Sequence, residues 1–294
     1  EEMSSNVAID LIERQGWLDE VSDALQPAIA ETFRSAGEVG QKVEDFLHGT
    51  WLGHPLHSVL TDIPVGAWTA ALVLDAMDEM SGREEFGRGA DAAVAVGIVG
   101  AVASAVTGLT DWHKTDGAAR RIGITHGLMN ATALALYATS LACRRRKDRR
   151  AGRGLSFLGY AIASASAYLG GHLVYGEQIG VDHTADQDPP REFVRVMAEA
   201  DLREGEPHRA DAAGMPVLLV RRGGRVFAIA ETCSHLGGPL ADGKLEGDSV
   251  RCPWHGSRFS LEDGRVLEGP SVHTQPCFEA RVRDGQIEVR SANR

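Results

Sequence analysis

The sequence is poor in cysteine and in positive charge. Its 294 residues contain only four cysteines, Cys143, Cys233, Cys252 and Cys277, and their scattered positions imply no disulfide framework. Lys and Arg number 30 against 41 Asp and Glu, and the net charge of −11 argues against a nucleic-acid-binding surface. No Cys-x-x-Cys-His stretch occurs, which excludes the usual covalent attachment of a c-type haem.

Residues 1–30 lack an apolar core of the length that a cleavable signal peptide needs. Residues 1–50 carry eleven acidic and three basic residues, with apolar positions at roughly helical spacing. We predict two amphipathic helices here, separated at Pro27. Their acidic polar faces disfavour binding to anionic lipid, so packing against the rest of the chain is the favoured interpretation.

Charge is absent from three long stretches of the next region, residues 92–110, 122–143 and 154–176. These lengths match a helix that crosses a bilayer, and a weaker first segment at residues 59–77 is interrupted by Asp62 and Asp75. The alternative is a soluble bundle rich in Ala and Gly, although soluble helices normally have a charged face. We predict an all-α bundle of four transmembrane helices over residues 51–178, and hence a multi-pass protein of the cell membrane.

Two short segments further on each carry one cysteine and one histidine. They read Cys233-x-His235 and Cys252-x-x-His255, with sixteen residues between them. Two thiolates on one iron and two imidazoles on the other are the ligands of a Rieske [2Fe–2S] cluster. Structural zinc is the rival, but zinc fingers usually keep the cysteines in one pair and the histidines in another. The stretch from about residue 191 onward resembles the Rieske iron–sulfur family, which implies a cluster on these four residues.

A second resemblance lies upstream, over residues 50–185. His54-Pro55-Leu56-His57 and Asp62-Ile63-Pro64-Val65-Gly66 resemble the opening of a bacterial four-helix membrane family of unknown function, and Gly170-Gly171-His172-Leu173-Val174-Tyr175 resembles its closing signature. The resemblance implies a membrane location and brings no settled activity.

Several histidines of this region are expected at one membrane face of an up-down bundle. Ionisable residues inside membranes are rare and often functional. One hypothesis is a haem b held by His126 and His172, with Asn130 as a hydrogen-bond partner of His126. The alternatives are a metal site and simple hydrogen bonding between helices. The metal site would use His54, His57 or His113 with Asp62 or Asp111.

Basic residues in the loops bear on orientation. The sequence Arg144-Arg145-Arg146-Lys147-Asp148-Arg149-Arg150, with Arg153 behind it, is expected to be cytoplasmic by the positive-inside rule. An even number of spans then places both chain ends, and the Rieske domain, outside the cytoplasm.

Beyond a predicted linker at residues 179–192, the pattern becomes β. Hairpin turns are predicted at Gly223-Gly224, Asp263-Gly264 and Asp284-Gly285. Residues 193–294 are therefore predicted to form a small antiparallel all-β domain, with both cluster loops at one end.

The sequence departs at three positions from the pattern of the high-potential, quinol-oxidising members of the Rieske family. Gly238 and Trp254 stand where those proteins have a second pair of cysteines, and Phe259 stands where they have a tyrosine. Ser257 remains as a hydroxyl donor to a cluster sulfur. Fewer donors stabilise the reduced cluster less, so a potential in the lower Rieske range is implied. Val266–Pro270 resembles the family's proline loop, with a plain surface loop as the alternative.

These observations together predict a membrane-anchored one-electron carrier. It would act between a partner oxidoreductase, such as a dehydrogenase or hydrogenase, and the quinone pool, with a haem as a relay. It is expected to be an electron-transfer subunit rather than a stand-alone enzyme. The alternatives are a redox sensor and a ferredoxin-like component of an oxygenase system. A complete oxygenase is disfavoured because only 39 residues follow His255.

Overall fold

The computed structural model describes residues 7–292, so the predictions for residues 1–6 lie outside the described residues. Helices occupy the first half of the described chain and strands the second half, as predicted. The helices are α1 Val7–Glu13, α2 Trp17–Ser35, α3 Gly37–His48, α4 Leu56–Ser81, α5 Glu84–Trp112, α6 Gly117–Arg145 and α7 Arg149–Tyr175. The break predicted at Pro27 is wrong, because Pro27 lies inside α2 and the chain turns at Gly37, which has a φ of +57°.

Two of the helices are long and apolar enough to cross a membrane. These are α4, with a mean hydropathy of 1.4, and α5, with 2.1. Within the described residues α6 and α7 do not reach that level, because their charge-free stretches are rich in Gly, Ser, Thr and other residues of low hydropathy. Lack of charge is therefore not the same as apolarity. The interrupted first segment, in α4, is a better candidate for a membrane span than the charge-free stretches of α6 and α7.

The chain divides into two compact units. One, called the helical unit below, comprises the residues up to Val43 and Pro55–Glu177. The other, called the cluster unit, comprises Glu44–His54 and Gln178–Arg294. The end of α3 and the turn that follows it are thus part of the cluster unit, although 120 or more residues separate them from the rest of it.

The helical unit contains two helical hairpins, α4–α5 and α6–α7, that repeat the same contact. In the first, His57 Nδ1 lies 2.8 Å from the backbone oxygen of Ser104. In the second, His126 Nδ1 lies 2.8 Å from the backbone oxygen of Ser166. A glycine follows four residues after each serine. An added Cβ at Gly108 would lie 2.8 Å from the His57 ring, and one at Gly170 would lie 3.0 Å from the His126 ring. Each hairpin therefore closes around a histidine in the same way.

Equivalent residues of the two hairpins meet each other. Trp68 and Tyr137 each lie eleven residues after their hairpin's histidine, and their rings stack at 4.0 Å and 10°. Asp75 and Arg144 each lie eighteen residues after the histidine of their hairpin. They form a buried ion pair, with Arg144 Nη1 at 2.7 Å from Asp75 Oδ1. Contact between like positions is the mark of an isologous interface. The two hairpins are thus related by an approximate two-fold rotation.

The cluster unit is built on two antiparallel sheets. Its strands are β1 Val194–Ala198, β2 Pro207–Ala212, β3 Met215–Arg222, β4 Arg225–Ala230, β5 Lys244–Leu245, β6 Ser249–Arg251, β7 Arg258–Ser260, β8 Val266–Glu268, β9 Cys277–Arg283 and β10 Gln286–Ser291. The larger sheet has the order β1-β10-β9-β4-β3-β2 and the smaller β5-β6-β7-β8. The three predicted hairpin turns join β3 to β4, β7 to β8 and β9 to β10, which confirms them.

One of the two hydrophobic cores of the cluster unit joins residues of both sheets. Leu218 and Ile229 of the larger sheet and Val250 and Phe259 of the smaller one are all buried there. Cys233 and Cys252 belong to the same core. Packing of the two sheets therefore sets the position of the two thiols.

Candidate metal centre

The first candidate ligand loop follows β4. The Cys233 N–H donates to the Gly238 oxygen at 2.8 Å, and the Gly237 N–H donates back to the Cys233 oxygen at 2.9 Å. Gly237 has a φ of +77°, a conformation that favours glycine. At Gly238 an added Cβ would lie 2.8 Å from Cys252 Sγ, so this position has no room for a side chain. The loop brings Cys233 and His235 to the same end of the unit.

The second loop joins β6 to β7 and repeats this backbone pattern. The Cys252 N–H donates to the Ser257 oxygen at 2.8 Å, and the Gly256 N–H donates to the Cys252 oxygen at 3.2 Å. Gly256 has a φ of +83°. The two loops thus have the same hydrogen-bonding pattern, and each presents a cysteine followed by a histidine.

The two thiols are buried and interact. A side-chain hydrogen bond between them, followed by burial, raises the pKa of Cys233 well above its ordinary value. The same hydrogen bond lowers the pKa of Cys252 to about 7, with help from the backbone N–H groups of Trp254 and His255. Cys252 is therefore the thiol of the pair that ionises first. Neither cysteine is in a disulfide, and thiolates are the form that binds iron.

The two imidazoles lie together on the more accessible side. The rings of His235 and His255 are 5.0 Å apart, nearly perpendicular, and both are partly exposed. Trp254, next to them, is 57% exposed. Two buried thiols beneath two accessible imidazoles fit the donor set of a cluster with one Cys₂ iron and one His₂ iron.

Ser257 and Phe259 flank the second loop. Ser257 is buried, and its Oγ accepts a hydrogen bond from the Ser271 N–H at 2.9 Å. Phe259 is also fully buried and lies in the same core as both cysteines. A phenyl ring carries no hydroxyl, so Phe259 gives no hydrogen bond to a sulfur.

Comparison with known proteins agrees with this geometry. Residues 192–279 match the model described as "Rieske [2Fe-2S] domain". The ferredoxin CarAc of Metapseudomonas resinovorans is 31% identical over 98 residues, which cover 33% of this chain and 92% of the ferredoxin. The chain belongs to the Rieske family. Its cofactor is a Rieske-type [2Fe–2S] cluster, and it is a Rieske-type electron carrier.

Two further relatives extend the comparison. Human apoptosis-inducing factor 3 is 31% identical over 133 residues, 44% of this Rieske protein. The chain spans only 22% of the length of that human relative. The solved ferredoxin of carbazole 1,9a-dioxygenase from Nocardioides aromaticivorans IC177 is 31% identical, with a TM-score of 0.32, over 33% of this chain and 95% of the ferredoxin.

The upstream resemblance is also confirmed. Residues 53–183 match the model described as "Predicted membrane protein (DUF2231)". This Rieske protein therefore carries a domain of a predicted membrane protein family ahead of its cluster domain. The match says nothing of orientation.

The membrane-domain histidines have protein neighbours in this structure, and haem binding by His126 and His172 stays a prediction. The ring of His126 lies 6.5 Å from that of His57, its counterpart in the other hairpin. Asn130 does contact His126, but its Nδ2 lies 3.0 Å from Nε2, while Nδ1 is held by Ser166. Both ring nitrogens of His126 therefore have protein partners. His172 lies near Glu177, with its Nε2 at 3.6 Å from Oε1.

The remaining candidate histidines have separate surroundings. His113, in the helical unit, has its Nδ1 2.6 Å from the Thr110 oxygen. His54 belongs to the cluster unit, where its ring lies 6.2 Å from that of His273. Hydrogen bonding between helices, the simplest of the sequence hypotheses, describes His57 and His126 best.

Sequence reasoning missed Gln275, which fixes the first loop. Its Oε1 accepts from the Ser234 N–H at 2.8 Å, and its Nε2 donates to the oxygens of Ala230 and Thr232 at 3.0 Å and 2.7 Å. Gln275 is 2% exposed. A single glutamine 20 residues after the last motif residue, His255, has no spacing signal, so only the fold reveals its role.

Proposed function

We propose that this protein is a membrane-anchored one-electron carrier that passes electrons between a partner oxidoreductase and the quinone pool. The observation that carries the proposal is the paired His235 and His255 imidazoles on the accessible side of a site whose thiols are buried. When bound, the cluster supplies reversible one-electron chemistry. The imidazole side gives a partner the shortest approach to it.

Trp254 supports docking at the same place. Its side chain is 57% exposed, and its ring lies 6.3 Å from that of His255. Exposed aromatic side chains are enriched at protein interfaces. We propose that a partner covers Trp254 and the two imidazoles together, excluding water from the path of the electron.

The anchoring half of the proposal rests on the helical unit. Helices α4 and α5 have the length and hydropathy of membrane-crossing segments, and the two hairpins form one structure through Trp68–Tyr137 and Asp75–Arg144. We therefore propose that α6 and α7 cross with them, which makes four spans.

The loop after α6 bears on the side of the membrane. Arg144, Arg149 and Arg153 are ion-paired within the helical unit, with partners Asp75, Asp78, Asp91 and Glu79. The positive-inside rule counts Lys and Arg and gives little weight to Asp and Glu, so these arginines still count. With Arg145, Arg146, Lys147 and Arg150 of the same loop, they support a proposed cytoplasmic position for the loop, with the cluster unit outside.

The experiment has an anchoring step and a transfer step. The full chain is expected to stay with membranes through a carbonate wash and to need detergent for extraction, and release by salt alone would end the anchoring proposal. The detergent-solubilised protein, reduced with dithionite and freed of excess reductant, is then mixed with a water-soluble quinone. Rapid reoxidation of the cluster by the quinone is expected. Because Trp254 belongs to the proposed transfer surface, the Trp254→Ala variant is expected to be reoxidised markedly more slowly, and an unchanged rate would contradict this role of Trp254.

A second candidate is the ferredoxin component of an oxygenase system. The ferredoxin component of biphenyl 2,3-dioxygenase from Rhodococcus jostii is 34% identical over 97 residues, which cover 91% of it. The discriminating assay offers the reduced protein a Rieske oxygenase or the quinone separately. Turnover of the oxygenase together with no quinone reduction would favour the second candidate.

A further inference from the structure

The cluster unit contains a segment that precedes the whole helical unit in sequence. At the end of α3, Asp45 Oδ1 accepts a hydrogen bond from the Gly269 N–H at 2.7 Å. The two residues are 224 positions apart, yet both belong to the cluster unit. Gly269 opens the proline loop, Gly269-Pro270-Ser271, that follows β8. Asp45 thus fixes the start of the loop.

The contact is close enough to favour glycine at position 269. An added Cβ would lie 3.1 Å from His48 Cδ2 and 3.4 Å from Thr50 Cγ2. The first distance is shorter than ordinary carbon–carbon contact. The segment around Asp45 and His48 therefore packs directly on the backbone of the proline loop, and a side chain at position 269 would have to displace it by a few tenths of an ångström.

The other end of the loop contacts both ligand loops. The Ser271 N–H donates to Ser257 Oγ at 2.9 Å. The Ser271 hydroxyl lies 2.8 Å from that of Ser234, the residue between Cys233 and His235. Pro270 has no N–H to donate, so Gly269 and Ser271 supply the backbone donors that position this loop.

We infer that Asp45 is a positioning residue for the cluster. By holding Gly269, it keeps the Ser271 N–H on Ser257 Oγ and so orients the Ser257 hydroxyl for donation to a cluster sulfur. Hydrogen bonds to cluster sulfurs set the reduction potential, and residues that orient such donors contribute through them. The inference rests on the Rieske cluster and the Ser257 bond, and it is independent of the quinone and the membrane anchor.

The test measures the midpoint potential of the full chain in detergent by redox titration of its electron paramagnetic resonance signal. Asp45→Ala is expected to lower the potential. Asp45→Asn keeps an acceptor oxygen and is expected to restore most of the wild-type value. Glu38→Ala, at an exposed position of the same helix, is the matched control and is expected to leave the potential unchanged. A wild-type potential in Asp45→Ala would overturn the inference.

Two further variants separate the route from general destabilisation. In a Ser257→Ala background, Asp45→Ala is expected to cause no additional shift, and a full additional shift would refute action through Ser257. In Gly269→Ala the added Cβ would crowd His48 Cδ2 at 3.1 Å and displace the proline loop. This variant is expected to lower the potential as Asp45→Ala does. This variant keeps the inference testable if Asp45→Ala fails to fold.

A readout without the cluster completes the experiment. Amide hydrogen exchange at residues 269–273 of the apoprotein is expected to accelerate in Asp45→Ala and to remain slow in Glu38→Ala. Unchanged exchange in Asp45→Ala would show that the loop does not depend on Asp45.

Discussion

The backbone N–H of Ser271 donates to Ser257 Oγ across 2.9 Å. Since this bond uses a lone pair of the hydroxyl oxygen, the hydroxyl hydrogen of Ser257 remains available to a second acceptor. Ser257 follows the second ligand loop and is buried. A cluster sulfur is the acceptor that the Rieske assignment supplies.

We predict that Ser257→Ala lowers the midpoint potential. A hydrogen bond to a charged acceptor is worth about 1.5 kcal/mol, and about 1.4 kcal/mol corresponds to roughly 60 mV for one electron. A redox titration followed by electron paramagnetic resonance measures the shift. Ser291→Ala, on β10 of the other sheet, is the control. A potential that stays within a few millivolts of wild type in both variants would show that Ser257 gives no bond to the cluster.

The opposite change is predicted for Phe259→Tyr. Phe259 is buried in the core that contains Cys233 and Cys252, and the new hydroxyl would add a donor beside the cluster. The potential is expected to rise by up to about 60 mV, the equivalent of one charge-assisted hydrogen bond. The same titration checks it. A fall in potential would contradict the idea that the missing hydroxyl keeps the potential low.

Replacement of either imidazole is predicted to remove the Rieske signature. The reduced wild-type protein should show the low average-g electron paramagnetic resonance signal of a His-ligated [2Fe–2S] centre, and His235→Ala or His255→Ala should abolish it. His273→Ala is the control, because His273 lies near the first loop without belonging to the predicted ligands. One zinc per chain and no iron would rule out a Rieske cluster.

An acid-dependent loss of stability is predicted from Glu268 of β8. Burial opposes its ionisation, but hydrogen bonds from Arg251 at 2.7 Å and Arg258 at 2.9 Å prevail, and the pKa of Glu268 is lowered below its ordinary value of 4.5. A folded-state pKa below the unfolded one stabilises the fold above about pH 4.5, and this contribution is lost as the pH falls through the folded value.

Glu268→Gln is therefore expected to unfold more easily at neutral pH and to lose less stability than wild type as the pH falls below about 4.5. Chemical unfolding of the apoprotein at a series of pH values measures this difference. Glu279→Gln removes an exposed partner of Arg290 and serves as the control. If Glu268→Gln loses as much stability on acidification as wild type, Glu268 does not cause the effect.

Individual residues show which features of the structure could be predicted from the sequence. Cys233, His235, Cys252 and His255 have a spacing that arises from two tight loops, so the motif alone indicated the site and the β-rich domain around it. The turns at Gly223 and Gly285 were readable because a positive φ favours glycine. Local chemistry was sufficient for these features.

Long-range contacts were not readable in the same way. Asp45 meets Gly269 across 224 positions, and no local pattern encodes such a contact. The ring of His126 lies 6.5 Å from that of His57, because the repeat of the two hairpins places like positions together. Reasoning by depth in a bundle could not show this neighbour, since it ignores rotation about each helix. Pro27 was mistaken for a helix end because a proline inside a helix and a proline at its boundary look alike in sequence.

The buried Asp75–Arg144 pair has a consequence for how this bundle can assemble. If two copies of α4–α5 associated as the two hairpins do here, two aspartates would meet without a counter-ion, and two copies of α6–α7 would oppose two arginines. Either arrangement would leave like charges buried, at a cost of several kcal/mol for each unpaired ion. Only one hairpin of each kind gives neutrality. The ion pair therefore favours packing of α4–α5 against α6–α7. It disfavours any exchange of hairpins between chains that would pack two copies of the same hairpin together.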